Sequence, residues 1–230
     1  MPVWSRQQQK SKHSTEAASL KRANRAMHTH KDYEEVLSPN LYFDRNFEIE
    51  AVKILPGEYY VTARDMALVT VLGSCVAACI HDRTLGIGGM NHFMLPDDRR
   101  DGGDILSPSA RYGVYAMEIM INELLKMGAK RGNLEAKVFG GGSVVRGLTV
   151  NPVGESNAAF VTGYLRTENI AVAAQDMLDI YPRKIYYFPR SRQVMVKRLR
   201  GMHNDTIIER EQAYSARLQK VSVEGDVELF

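Results

Sequence analysis

The sequence predicts an α+β domain with antiparallel or mixed sheets. Three observations predict it: strand-like runs outnumber helical ones, several strands are joined by short turns, and no internal repeat appears at solenoid periods. A doubly wound parallel sheet fits that pattern less well. The chain has 230 residues, 44% hydrophobic and 25% charged, the proportions of a globular protein rather than a disordered one. No stretch approaches the roughly 18 to 20 uninterrupted apolar residues that crossing a bilayer requires, so membrane insertion is not expected. Two cysteines cannot make a disulfide framework, and a reducing cytoplasm is the expected setting.

Three segments are expected: an N-terminal arm over residues 1–35, a folded domain over 40–203, and a C-terminal segment, 204–230, read as a helix or a tail. Within the domain, Pro56-Gly57 is a turn signal leading into a strand at Glu58–Thr62. A second strand, Leu68–Leu72, ends at Gly73-Ser74. The runs Cys75–His81 and Gly86–Pro96 flank Asp82–Leu85 and read as a hairpin. Val114, Met117, Ile121, Leu124 and Leu125 recur at helical spacing between Ser109, a candidate N-cap, and Gly128, a stop. The methionines Met117, Met120 and Met127 are read as packing rather than ligands.

Leu134–Phe139 is a further strand, running into Gly140-Gly141-Gly142-Ser143. A second helix is expected over Asn157–Arg166 and a strand over Ile170–Ala174. Lys184–Phe188, a turn at Pro189–Arg192 and Val194–Val196 make a closing hairpin.

The formal net charge of +3 is unevenly spread. Residues 1–31 carry seven basic side chains (Arg6, Lys10, Lys12, Lys21, Arg22, Arg25, Lys31) against Glu16 alone, which leaves 23 basic and 26 acidic residues in the rest. A basic core for nucleic acid is therefore not indicated. The arm lacks an apolar secretory region, and solvated disorder is its simplest reading. Its His28 and His30 form a His-x-His pair that is not read as a metal site. The glycines of 139–147 lack the Gly-Lys-Ser/Thr ending of a phosphate loop, so a turn or a close backbone approach is their expected use. Arg183, Lys184, Arg190, Arg192, Lys197, Arg198 and Arg200 are read as a solvated face, or a contact for an acidic partner, rather than an RNA surface.

The hairpin supplies the sharpest geometric expectation. With Arg83 and Thr84 as the centre of a tight turn, Cys75 faces His92 and Cys79 faces Gly88. Directly opposed side chains have Cβ atoms about 4.5–5.5 Å apart, close enough for a thiol and an imidazole to share a hydrogen bond. Cys75 and Cys79 share a face but stand about 13 Å apart along the strand, so no disulfide joins them. A free thiol with a pKa near 8.5 is only a few per cent thiolate at neutrality. A neighbouring imidazole takes its proton and later returns it to a leaving amine. A third residue should orient the ring. Unrelated buried residues remain the commoner explanation of such a pair in an arbitrary sequence.

The blocks Leu72–Cys79 and Gly88–Pro96 resemble the chemoreceptor glutamine deamidase family, CheD. The similarity continues through Tyr112, Glu135–Gly142, Gly154–Asn157 with Phe160-Val161, and Ile170 through Asp176 to Lys184, so it covers roughly residues 40–199. The resemblance implies a fold like that of deamidating toxins, a layered α+β arrangement with a β-sandwich-like core and flanking helices. It implies a cysteine hydrolase that converts glutamines of methyl-accepting chemotaxis receptors to glutamate and releases ammonia, with no cofactor or metal. The family nucleophile falls on Cys75 and its histidine on His92.

The family threonine stands six residues before the cysteine, which is Val69 here, whereas Thr70 stands five before. Either a one-residue difference ahead of Gly73 gives Thr70 the role, the preferred reading, or another group orients the ring. Backbone N–H groups near Gly73 and Ser74 are the expected oxyanion support. Met177-Leu178-Asp179 departs from the family, which often has glycines there. A cysteine peptidase or a transglutaminase would share the Cys–His pair. A non-catalytic adaptor that binds receptors or a CheC-type phosphatase is the alternative from another class, and a CheC-type phosphatase is also an expected partner.

Overall fold

A computed structural model describes residues 40–96, 108–143, 152–199 and 205–218. The arm, with His28 and His30, lies outside the described residues, as does Arg200. The strands are β1 (Asn40–Asp44), β2 (Ile49–Lys53), β3 (Tyr59–Thr62), β4 (Ala67–Leu72), β5 (Val76–Asp82) and β6 (Gly88–Asn91). After helix α1 (Pro108–Lys126) come β7 (Leu134–Gly140), α2 (Pro152–Thr167), β8 (Ala171–Met177), β9 (Arg183–Phe188), β10 (Gln193–Arg198) and α3 (Asp205–Leu218).

Two mixed five-stranded sheets form, in the orders β1-β2-β4-β9-β10 and β3-β6-β5-β7-β8. They pack face to face, which gives the α+β sandwich-like core expected from the sequence. Leu68, Leu72, Ile185 and Tyr187 of the first sheet meet Ala77, Cys79, Met90 and Phe139 of the second. The second sheet's other face carries Val76, Ala78 and Ile80, packed on Met117, Ile121 and Leu124 of α1 and Val161 and Leu165 of α2. Covered on both faces, β5 is buried at every position, which is why it reads as an unbroken apolar run.

Several expected elements shift. The stripe of α1 runs through Met117, Met120, Ile121 and Leu124, whereas Val114 and Met127 are exposed. Gly113 takes the inward position ahead of Met117, where a Cβ would stand 2.5 Å from the Phe160 ring of α2. Ser109 lies within the first turn and donates from Oγ to Pro96 O at 2.7 Å. Helix α2 begins at Pro152, five residues before the expected start, since proline's fixed φ and missing N–H suit a first helical position. Arg183 departs most from expectation: it is fully buried rather than part of a solvated face. It donates to Gly140 O at 2.8 Å and pairs with Asp176 at 3.3 Å.

Candidate active site

The connection between β5 and β6 is longer than a two-residue turn. Asp82 N–H donates to Ile87 O at 3.0 Å, with four residues between them. The Asp82 carboxylate accepts from Thr84 N–H at 2.7 Å and Leu85 N–H at 3.2 Å, curling the chain before a tight turn can close. Gly86 then takes a left-handed φ of 65°. The register therefore pairs Cys79 with Met90, not Gly88, and Val76 with Phe93, so the expected Cys75–His92 facing pair is corrected to a diagonal one. The slip is two residues, and an even slip keeps every side chain on its face. Cys75, Met90 and Met94 face the space between the sheets, and His92 lies between those methionines in the alternation.

Thr70 belongs to the same inner face as Leu68 and Leu72, while Val69 packs outward with Ala51 and Ala67. Thr70 Oγ1 lies 2.8 Å from His92 Nδ1 and donates to Ile54 O at 2.7 Å. A hydroxyl has one proton. With that proton on Ile54 O, the imidazole contact is Nδ1–H donating to Thr70, which leaves Nε2 as the bare acceptor nitrogen. Nε2 is buried and has no hydrogen-bond partner among the described residues. Burial holds the imidazole at about 3, the Ile54 backbone opposing that shift and the Arg210 charge adding to it, so it is neutral near pH 7.

Cys75 follows β4 in the turn Gly73-Ser74-Cys75. The backbone N–H groups of Gly73 and Cys75 donate to one oxygen of Glu211, at 3.0 and 3.1 Å. The other oxygen accepts Ser74 N–H at 3.0 Å and Ser74 Oγ–H at 2.7 Å. Burial first, then the charge of Glu211 and its hydrogen bond to the thiol, push Cys75 well above the ordinary range, the backbone opposing. Both cysteines are free and buried.

The turn is braced from behind. Gly142 N–H donates to Gly73 O at 2.7 Å and Gly141 N–H to Cys75 O at 2.8 Å. Asn157 of α2 donates to Ser74 O at 2.9 Å and accepts from Leu95 N–H at 2.8 Å, tying the cysteine turn to the histidine segment. The glycine run is thus a close backbone approach: a Cβ on Gly140 would stand 2.1 Å from Cys75 O. Leu178 and Asp179, where the resemblance leads one to expect glycines, take φ of 63° and 73°, conformations glycine adopts without steric penalty.

Sequence reasoning brought Thr70, Gly73, Ser74, Cys75 and His92 to one region. It gave Asn157 no role and missed Glu211 altogether. The available signal for Glu211 was its i, i+3, i+7 recurrence with Tyr214 and Leu218, weak in a segment rich in charges. Among the described residues no group of three or more His, Cys, Asp or Glu is placed to hold a metal ion, and no helix is long and apolar enough to cross a membrane.

A family profile described as CheD chemotactic sensory transduction matches residues 94–198. The probable chemoreceptor glutamine deamidase CheD of Thiobacillus denitrificans is 62% identical, the match covering 86% of this chain and 98% of that protein. Its namesake in Methylobacillus flagellatus is 61% identical over the same shares. The protein named CheD 1 in Shewanella oneidensis is 57% identical over 84% of this chain and 93% of its own.

Proposed function

This chain belongs to the CheD family, and from that premise we propose that it deamidates glutamines of chemotaxis receptors, acting in the cytoplasm with Cys75 as nucleophile. The observation that carries the reading is the pair of N–H groups, from Gly73 and Cys75, converging on one carboxylate oxygen beside the thiol. Two backbone donors about 3 Å from one oxygen are what a tetrahedral intermediate of acyl transfer needs. His92 supports it, with Nδ1 held by Thr70 and Nε2 bare.

In this mechanism His92 Nε2 takes the thiol proton as Cys75 Sγ attacks the carboxamide carbon of a receptor glutamine. The developing oxyanion lies between the N–H groups of Gly73 and Cys75, with Ser74 alongside. Thr70 keeps the ring's second nitrogen aimed away from the reaction. His92 returns the proton to the nitrogen, ammonia leaves, and a thioester joins Cys75 to the substrate. Water, its proton taken by His92, then releases glutamate and the thiol. The reading extends to a CheC-type phosphatase as binding partner, checked by co-purification of the two proteins.

The test is mass spectrometry of a receptor cytoplasmic fragment after incubation, with ammonia measured in parallel. The wild type should add about one dalton at particular glutamines, and Cys75→Ala and His92→Ala should add none while remaining folded. Retained activity in either variant overturns the assignment. Backbone cleavage would instead identify a peptidase, and incorporation of an added primary amine a transglutaminase.

A further inference from the structure

The proposed chemistry calls for an open cradle at Gly73–Cys75, yet the cradle is full. Its occupant is a carboxylate on a glutamate side chain, which is the group the proposed reaction makes. Glu211 is delivered by helix α3 and is almost fully buried. A Cβ on Gly73 would stand 2.8 Å from its Oε1, so the carboxylate lies flat against a position only glycine leaves open. One turn further along, Tyr214 is likewise buried. A Cβ on Gly57 would stand 2.8 Å from the Tyr214 hydroxyl, and that hydroxyl shares a hydrogen bond with Tyr112 of α1. Leu218 packs against the same inter-sheet cluster. Residues i, i+3 and i+7 line one helix face, while Gln212, Ala213, Ala216 and Arg217 on the rest of the helix are exposed. The groove thus accepts an amphipathic helix that carries an acyl side chain at one position and an aromatic ring three residues on.

We propose that α3 is a resident product analogue: it fills the groove in which a receptor helix docks, with Glu211 where the product glutamate would lie, and must leave before a substrate enters. This rests on the deamidase reading and names the regulation of its site. The closed arrangement is a resting one, because Glu211 occupies the three N–H groups around the thiol that His92 would otherwise deprotonate. Burial and the adjacent carboxylate both hold Cys75 protonated, and His92 Nε2 is left without a partner among the described residues.

Steady-state kinetics of full-length protein on a receptor cytoplasmic fragment tests the idea. If about nine-tenths of wild-type molecules are closed, Glu211→Ala should lower KM about tenfold with little change in kcat. Tyr214→Ala, which leaves the cradle's ligand in place but removes its anchor, should act in the same direction. Glu211→Gln gives a readout that a merely structural role would not move. Its carboxamide would lie at the reacting position, so Cys75 attack, loss of ammonia and hydrolysis should restore glutamate, with a gain of about one dalton at position 211. That gain should vanish when Cys75→Ala is added. An unchanged KM in both Glu211→Ala and Tyr214→Ala, or a Glu211→Gln protein that keeps its mass, overturns the proposal. If neither wild type nor variants modify the fragment, the receptor reading fails instead, and the fate of the carboxamide introduced by Glu211→Gln, which needs no fragment, still decides this one.

Discussion

Cys75 and Cys79 stand four residues apart, point into the same inter-sheet core and are both fully buried. Burial pushes both thiols up. Their surroundings nevertheless differ in kind. Cys79 lies mid-strand, paired with Met90 on one side and Lys137 on the other, beneath the Tyr187 ring of the facing sheet. Its cover is the core itself. Cys75 lies at a turn whose three N–H groups converge on Glu211, diagonal to His92 across the ladder, and its cover includes one surface helix. Reactivity follows from what must move to reach the sulfur, so equal burial describes a structural thiol in the middle of β5 and a candidate nucleophile in the turn just ahead of it.

The largest test of that contrast is replacement of each cysteine in turn. Cys75→Ala should abolish deamidation, and Cys79→Ala should retain it while lowering stability by about 1 kcal/mol. Equal loss in both would erase the distinction. Acid should then act mainly through the Cys75 end. His92 titrates at about 3 in the folded protein and near 6.5 unfolded, so the unfolded chain binds the proton first as pH falls. Stability contributed by neutral His92 is present above about pH 6.5 and is lost on the way down to about pH 3, amounting to about 3 kcal/mol by pH 4. Burial lowers His81 as well, with the same sign, so urea melts should compare wild type with His92→Gln. The variant should show a shallower fall between pH 7 and 4.

A smaller effect should come from Asn157→Ala, which strands Ser74 O and Leu95 N–H without a partner. A loss of about 2 kcal/mol in urea unfolding is expected, together with a fall in kcat because the turn bearing Cys75 loses its tie to the His92 segment. The slightest change belongs to Leu178→Gly. Leu178 is exposed and holds a left-handed φ, so relief of backbone strain should outweigh the extra entropy of an unfolded glycine and raise stability by under about 1 kcal/mol. An unchanged or lowered Tm would mean that the side chain matters to the glycine loop it supports.

The sheets were largely legible because alternation and short turns report local burial, and the β9–β10 hairpin falls where the sequence puts it, Lys184 paired with Lys197. The face shared by Cys75 and His92 was legible for the same reason, although the register was not. Asp82 commits its carboxylate to the N–H groups of Thr84 and Leu85 and lengthens the loop, a side-chain effect that strand patterning does not encode. Which of Thr70 and Val69 meets His92 Nδ1 follows from which face of β4 looks inward. Arg183 eluded sequence reasoning because Gly140 O comes from a distant segment and Asp176, though near in sequence, reaches it from a strand of the other sheet. The same holds for Glu211, whose partners lie about 137 residues away.

The carbonyls behind the cysteine turn carry one more consequence. In a trans peptide the C=O of one residue and the N–H of the next point in opposite directions. Gly142 fixes Gly73 O and Asn157 fixes Ser74 O, so the N–H groups of Ser74 and Cys75 are aimed from the rear, whatever stands in front of them. These two donors are therefore already oriented before any guest arrives, and an incoming acyl group would meet a mould partly set in advance.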